Sequence, residues 1–161
     1  MKSAKDKVVA RAEAGRRVKE WKSAGLKIVF TNGCFDLLHP GHVRYLQKAR
    51  SLGDRLVVAV NSDHSVRSIK GAGRPIQPEL ERAEVLAALA AVNLVTVFDE
   101  PDPDGIIREV LPDVLVKGAD WPTDQIIGKD VVEAAGGQVR QIEFAPGYST
   151  SGIIDKIRKN P

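Results

Sequence analysis

Five short runs rich in β-branched residues punctuate the chain, and each is followed by a stretch with helical character. This alternation constrains the fold more than any other feature of the sequence. The runs are 27–31 (Lys-Ile-Val-Phe-Thr), 56–60 (Leu-Val-Val-Ala-Val), 94–98 (Leu-Val-Thr-Val-Phe), 113–117 (Asp-Val-Leu-Val-Lys) and 138–144. The first four are nearly continuous in apolar residues, the pattern of strands in a parallel sheet covered on both faces. Helices are expected between and after them. One runs over 40–51 and closes at Gly53; another, over 78–91, places Ala83, Leu86, Ala87 and Ala90 at i, i+3, i+4 and i+7. The others are 103–111 before Pro112, 124–135 before Gly136-Gly137, and 149–159. Strand–helix units in series predict an α/β fold: a doubly wound, Rossmann-like, parallel five-stranded sheet with helices on both faces.

The charged stretch before Gly25 reads as a helix laid across the domain. The expected division is therefore a helical appendage over residues 1–25 and one domain over 26–161. A length of 161 residues fits one compact domain. With 43% hydrophobic and 28% charged residues the balance is that of a globular protein and excludes disorder. The net charge of +3 does not demand nucleic acid and suits a phosphate-rich small ligand. No apolar run approaches the roughly 20 residues needed to cross a bilayer, and no apolar signal core follows the polar start, so a cytoplasmic location without membrane contact is the default expectation. Cys34 has no partner for an internal disulfide. It reads as a small buried side chain at a strand end, with a reactive thiol as the alternative.

In a doubly wound sheet ligands bind at the carboxyl ends of the strands. The first strand runs directly into Thr31-Asn32-Gly33-Cys34-Phe35-Asp36-Leu37-Leu38-His39-Pro40-Gly41-His42. This segment is neither a Walker A loop nor a dinucleotide fingerprint. Pro40 suits the first helical position, with His39 at the cap. The free N–H groups of the helix start form a phosphate site. His39 and His42, three apart, share one side of the first turn, and Gly41 lets a ligand approach the backbone. Two imidazoles at the positive end of a helix dipole are unfavourable as cations unless an anion joins them. The plainer alternative is a capped helix with two surface histidines.

His39-Pro40-Gly41-His42 resembles the His-x-Gly-His signature of the nucleotidyltransferase superfamily. Its members include cytidylyltransferases, pantetheine-phosphate adenylyltransferase and class I aminoacyl-tRNA synthetases. The wider string from Phe30 resembles, more narrowly, the adenylyltransferases of ADP-heptose synthesis, and the likeness runs from about Lys27 to Ile157. It implies transfer of AMP from ATP, with Mg²⁺, to D-glycero-β-D-manno-heptose 1-phosphate. It also implies catalytic roles for His39, His42 and Lys117, with Thr31, Asn32, Gly33, Cys34, Phe35 and Gly41 binding nucleotide.

Further binding residues come from the other strand ends. Asn61-Ser62-Asp63 matches the family, with Asp63 a candidate for sugar hydroxyls or simply a solvated acid. Lys70-Gly71-Ala72-Gly73-Arg74 reads as a cationic loop able to close on phosphates, or as a plain connection. Arg82 resembles part of the family's Glu-x-Arg segment; it pairs with Glu79, points at the site, or lies on a solvated face. Lys117-Gly118-Ala119-Asp120-Trp121 is similar to the heptose branch, giving Gly118 and Asp120 as binding residues, with Trp121 packing on the base or covering the core. Tyr148-Ser149-Thr150-Ser151 resembles the family's second phosphate motif; the alternative is an ordinary helix cap. Phe144-Ala145-Pro146-Gly147 replaces the Arg-Thr-Glu-Gly of glycerol-phosphate cytidylyltransferases, which favours the heptose branch. No His/Cys cluster suggests a structural metal. The implied partners are a sugar phosphate, a second copy of the chain in a dimer, and a separate heptose kinase upstream. The rival readings are a cytidylyltransferase of the same fold acting on glycerol 3-phosphate, and a silent nucleotide-binding regulatory module.

Overall fold

The computed structural model describes residues 3–160. Its five strands are β1 (Ile28–Gly33), β2 (Arg55–Asn61), β3 (Leu94–Phe98), β4 (Val114–Gly118) and β5 (Gln138–Ile142). All neighbours pair in parallel, in the order β3-β2-β1-β4-β5. The doubly wound parallel sheet expected from the apolar runs is present.

Seven α-helices accompany it: α1 (Arg11–Ser23), α2 (Pro40–Arg50), α3 (Asp63–Lys70), α4 (Glu79–Ala88), α5 (Asp104–Val110), α6 (Lys129–Ala134) and α7 (Thr150–Lys159). Successive strand residues point to opposite faces, and both faces are covered. Val29, Leu56, Val58 and Val116 pack on one side against Tyr45, Leu46 and Ala49 of α2 and Ala83, Leu86 and Ala87 of α4. Ile28, Phe30, Val57 and Leu115 pack on the other against Ala14 and Val18 of α1, Ile106 and Ile107 of α5 and Val132 of α6. The segment before β1 therefore contributes to the core. Ahead of α1, Val8 pairs in parallel with Val95, and the Val9 N–H donates to the Val95 carbonyl at 3.0 Å, covering one sheet edge. The opposite edge, β5, exposes Gln138, Arg140 and Gln141, a polar edge that discourages further pairing.

Three expectations change. The stretch after Asn61 is not a loop until Lys70: it is α3, because Ser62 caps it, accepting from the Ser65 N–H at 3.0 Å, and Val66 is buried. The helix expected over 124–135 splits into a 3₁₀ turn at Thr123–Gln125 and α6, separated by Gly128 in the left-handed region (φ +86°). Strand β5 ends at Ile142, which frees Phe144 to turn across the end of β4.

Candidate active site

The strand order reverses between β1 and β4, so the connections leaving their carboxyl ends run to opposite sides and open a crevice. A cavity of about 400 Å³ lies there. Asn32, Gly33, Cys34 and Phe35 come to it from β1 and its following turn, His42 and Tyr45 from α2, Asn61 from β2, Lys70 from α3, and Lys117 and Gly118 from β4. The Lys117 ammonium donates to the Asn32 side-chain oxygen, a hydrogen bond across the switch point itself. The remaining wall is largely apolar: Ile69, Pro101, Pro103, Ile126, Ile127, Trp121 and Phe144, with Asp102 among them. Trp121 is about half exposed at this rim and does not cover the core.

The histidine pair is built by α2. His39 is its N-cap in extended backbone, without a side-chain cap bond, and Pro40 occupies the first turn. The two rings stack at 3.8 Å between centroids. Gly41 makes this possible, since a Cβ there would lie 2.9 Å from the His39 ring. Both Nδ1 atoms are buried without a hydrogen-bond partner. Such atoms are costly unless a ligand or water satisfies them. Burial, reinforced by the neighbouring His39, pushes His42 down to about 4, and burial also lowers His39.

Both rings are thus neutral at pH 7 in the free protein, as the helix dipole also favours. The linkage has a definite sign. With a folded-state value below the usual 6.5, the unfolded chain binds the proton first, so stability is full above pH 6.5 and is lost as pH falls toward 4. Denaturant melts of the ligand-free protein should show this loss between pH 6.5 and 4, and His42→Gln should flatten it. An unchanged slope in that variant would mean the ring is not held neutral by burial.

Lys117 is buried, and burial lowers it to about 8. The Cys34 thiol is raised, chiefly by burial. Among the described residues no group of three or more His, Cys, Asp or Glu side chains is arranged to hold a metal ion.

Several expected site residues stand outside the cavity. Thr31 is wholly buried beneath it, its hydroxyl 2.8 Å from that of Tyr45 and donating to the Val116 carbonyl at 3.1 Å. His39 lies behind His42 and is followed by Tyr148, whose ring stacks on it at 6.2 Å and receives Arg44 at 5.2 Å. Tyr148 thereby brings the start of α7 beside the start of α2. Ser149 caps α7, accepting from the Gly152 N–H at 2.9 Å, and the Thr150 hydroxyl donates to the Leu37 carbonyl at 3.1 Å. Ser151 and Asp120 are exposed.

Arg82 is neither on a solvated face nor paired with Glu79, and it does not line the cavity. It is fully buried, and its guanidinium reaches Asp63 at 2.9 Å. Asp63 is therefore held by Arg82, while Glu79 accepts from the Asp63 backbone N–H at 2.7 Å.

Tyr45, Phe144 and Asp36 escaped sequence reasoning. Tyr45 lies one helical turn after His42, and Phe144 lies just past a strand's carboxyl end, so spacing alone could have flagged both. Asp36 was visible as an acid among Phe35, Leu37 and Leu38.

Comparison with known proteins bears on this architecture. The family described as cytidylyltransferase-like matches residues 30–156. The bifunctional protein HldE of Rhodopseudomonas palustris strain BisB5 is 49% identical over 158 residues, covering 98% of this chain and 32% of that protein. HldE of Geotalea uraniireducens is 56% identical over 141 residues, covering 88% of this chain and 29% of that one. The chain thus spans about a third of the length of the curated relatives it matches. The crystal structure of a lipopolysaccharide core biosynthesis protein from Thermoplasma volcanium superposes with a TM-score of 0.62 at 31% identity, covering 75% of this chain and 98% of that one. Pantoate-β-alanine ligase from Francisella tularensis shares the fold, with a TM-score of 0.61 at 15% identity over 90% of this chain and 69% of its own. The family match takes in β1 from Phe30 onward, the histidine turn, Lys117 and the start of α7 together, and the chain belongs to the cytidylyltransferase-like family of nucleotidyltransferases.

Proposed function

We propose that the chain transfers AMP from ATP to D-glycero-β-D-manno-heptose 1-phosphate, giving ADP-heptose and pyrophosphate. The observation that carries this reading is the junction at the switch point, where Lys117 of β4 meets Asn32 of β1 beside His42. Identity of about half to the HldE proteins over nearly the whole chain, and likeness to a lipopolysaccharide core biosynthesis protein, support the sugar branch.

The chemistry is a direct in-line displacement. An oxygen of the sugar phosphate attacks the α-phosphorus, the bond to the β-phosphate's bridging oxygen breaks, and pyrophosphate leaves with that electron pair. A phosphate dianion needs no general base, so positioning and charge stabilisation dominate. His42, in the cavity, donates to charge growing on the α-phosphate. His39 holds the His42 ring from behind. Lys70 and Lys117 face the phosphates, and an anion beside Lys117 offsets the cost of its buried charge. The Thr150 and Ser151 N–H groups at the start of α7, which lie ahead of the first intrahelical acceptors, face the departing pyrophosphate. Asn61 and Asp120 serve hydroxyl groups at the crevice mouth. Mg²⁺ would enter with the triphosphate and supply charge neutralisation at the phosphates, beside the cations that Lys70 and Lys117 provide. A cytoplasmic dimer, supplied with heptose 1-phosphate by a heptose kinase activity, completes the reading.

Pyrophosphate release should be Mg²⁺-dependent and faster with ATP than with CTP when heptose 1-phosphate is the acceptor. A preference for CTP or for glycerol 3-phosphate would remove the heptose assignment and leave the fold untouched. Binding of ATP with no pyrophosphate from any acceptor in a panel would favour a silent nucleotide-binding module.

A further inference from the structure

Two charged side chains are buried beneath the site, and neither touches the cavity. The Arg82 side chain is 0% exposed and bridges three segments. Its Nη1 donates to the Cys34 carbonyl at 2.6 Å, its Nε to the Gln77 carbonyl at 2.9 Å and its Nη2 to Asp63 Oδ1 at 2.9 Å. The Asp36 side chain is also 0% exposed. It accepts from the Gln77 N–H at 2.9 Å, the Ile76 N–H at 2.8 Å and Arg74 Nε at 2.7 Å. Burial alone would raise the Asp36 carboxyl. The two backbone donors and Arg74 outweigh it and hold the carboxyl below its ordinary range.

Between the residues these groups anchor lies Phe35. It has φ +46°, a left-handed backbone that a bulky side chain avoids. Such a conformation persists only where its surroundings over-determine it. Here Arg82 grips the residue before Phe35 and Asp36 is the residue after it. The constrained turn places the Phe35 ring edge-on to His42, with centroids 5.4 Å apart. His42 is thus bracketed by His39 stacked on one side and Phe35 on the other.

We infer that Arg82 and Asp36 are positioning residues that lock the Cys34–Phe35 turn in its left-handed form, so that Phe35 fixes the ring orientation of His42. Their guanidinium and carboxylate act through the turn and never meet substrate. The catalytic consequence rests on the adenylyl-transfer reading above; the structural linkage does not.

The test uses the full chain and two readouts. The first is the NMR resonance of the His42 Cε1–H in ligand-free protein, which senses the Phe35 ring current and needs no activity. The second is turnover alongside ATP affinity. Arg82→Lys keeps the buried charge and loses the three-way fork. It should shift the His42 resonance and lower kcat about 10- to 100-fold, the scale of a small misplacement. ATP affinity should change less than about twofold, since the triphosphate keeps its other contacts. In a His42→Ala background the same substitution should cost no further turnover. Phe35→Leu removes the ring without touching either anchor and should reproduce the shift, which covers an Arg82 variant that fails to fold. An unmoved His42 resonance in folded Arg82→Lys or Phe35→Leu overturns the inference, as does a fully additive loss in the His42→Ala background. A shifted resonance in a protein inactive toward heptose 1-phosphate would uphold the linkage and sink the substrate reading instead.

Discussion

Single-turnover AMP transfer is expected to fall by about 10²–10³ when His42 is replaced by alanine, the usual cost of removing a preorganised donor to developing charge. The ATP dissociation constant should barely change, because only the transition state has charge growing where the ring points. The reason lies in where the ring sits. His42 lines the cavity; His39 does not, and its ring fills the space between His42 and Tyr148. His39→Ala should therefore be milder and should act through the placement of its neighbour. His42→Gln, which retains a donor but cannot take up a proton, should be intermediate if positive charge matters. Rapid-quench measurement of AMP transfer with parallel ATP titration decides the matter. Wild-type transfer by His42→Ala would reduce the stacked pair to a decorated helix start.

Lys117→Met should separate stability from function. The ammonium is buried, and burial brings its titration from 10.5 down to about 8. The unfolded chain therefore holds this proton more tightly than the folded one. Below pH 8 the folded state bears the whole cost of a buried charge, and stability recovers as pH rises from 8 to 10.5. Removing the amine should raise the unfolding free energy at pH 7 by on the order of 1–3 kcal/mol, less whatever the Asn32 hydrogen bond contributes. The same change should lower kcat/KM by about 10²–10³, since the cation that meets the phosphates is gone. The gain in stability should vanish above about pH 10.5, where the wild-type amine is neutral in both states. A variant less stable than the parent at pH 7 would show that Lys117 is a structural prop. Sites built for charged ligands commonly trade stability in this way.

The strand positions were legible because they carry one simple signal, apolar runs of β-branched residues, and sheet order then follows from few topological rules. The histidine turn was legible because Pro40 and Gly41 mark a helix start with little ambiguity. Helix α3 was hidden: Gly71 and Gly73 suggested a loop, while the signal that decides it, a Ser62 cap before a short amphipathic turn, is weak in isolation. The role of Arg82 was hidden for a different reason. Its three partners, Cys34, Asp63 and Gln77, are scattered along the sequence, so nothing local separates a buried bridge from a solvated arginine. Thr31 belongs to the same class, because its hydroxyl partner Tyr45 lies on the next helix. Tertiary hydrogen bonding decides such cases, and spacing does not register it.

The pairing of Val8 with Val95 has a bearing on how the chain assembles. On a ribosome the residues before β1 emerge ahead of the sheet, yet the strand they cover is made 87 positions later (95 less 8). The apolar face of α1, with Ala14 and Val18, packs among Leu94, Ile106 and Ile107 and so waits for them as well. β1 and β2 are adjacent in sequence and pair along their length, so they can close locally first, at a lower loop-closure entropy. The segment made just ahead of the sheet is then among the last to dock. In the interval its uncovered hydrophobic stripe is what a nascent-chain chaperone would meet.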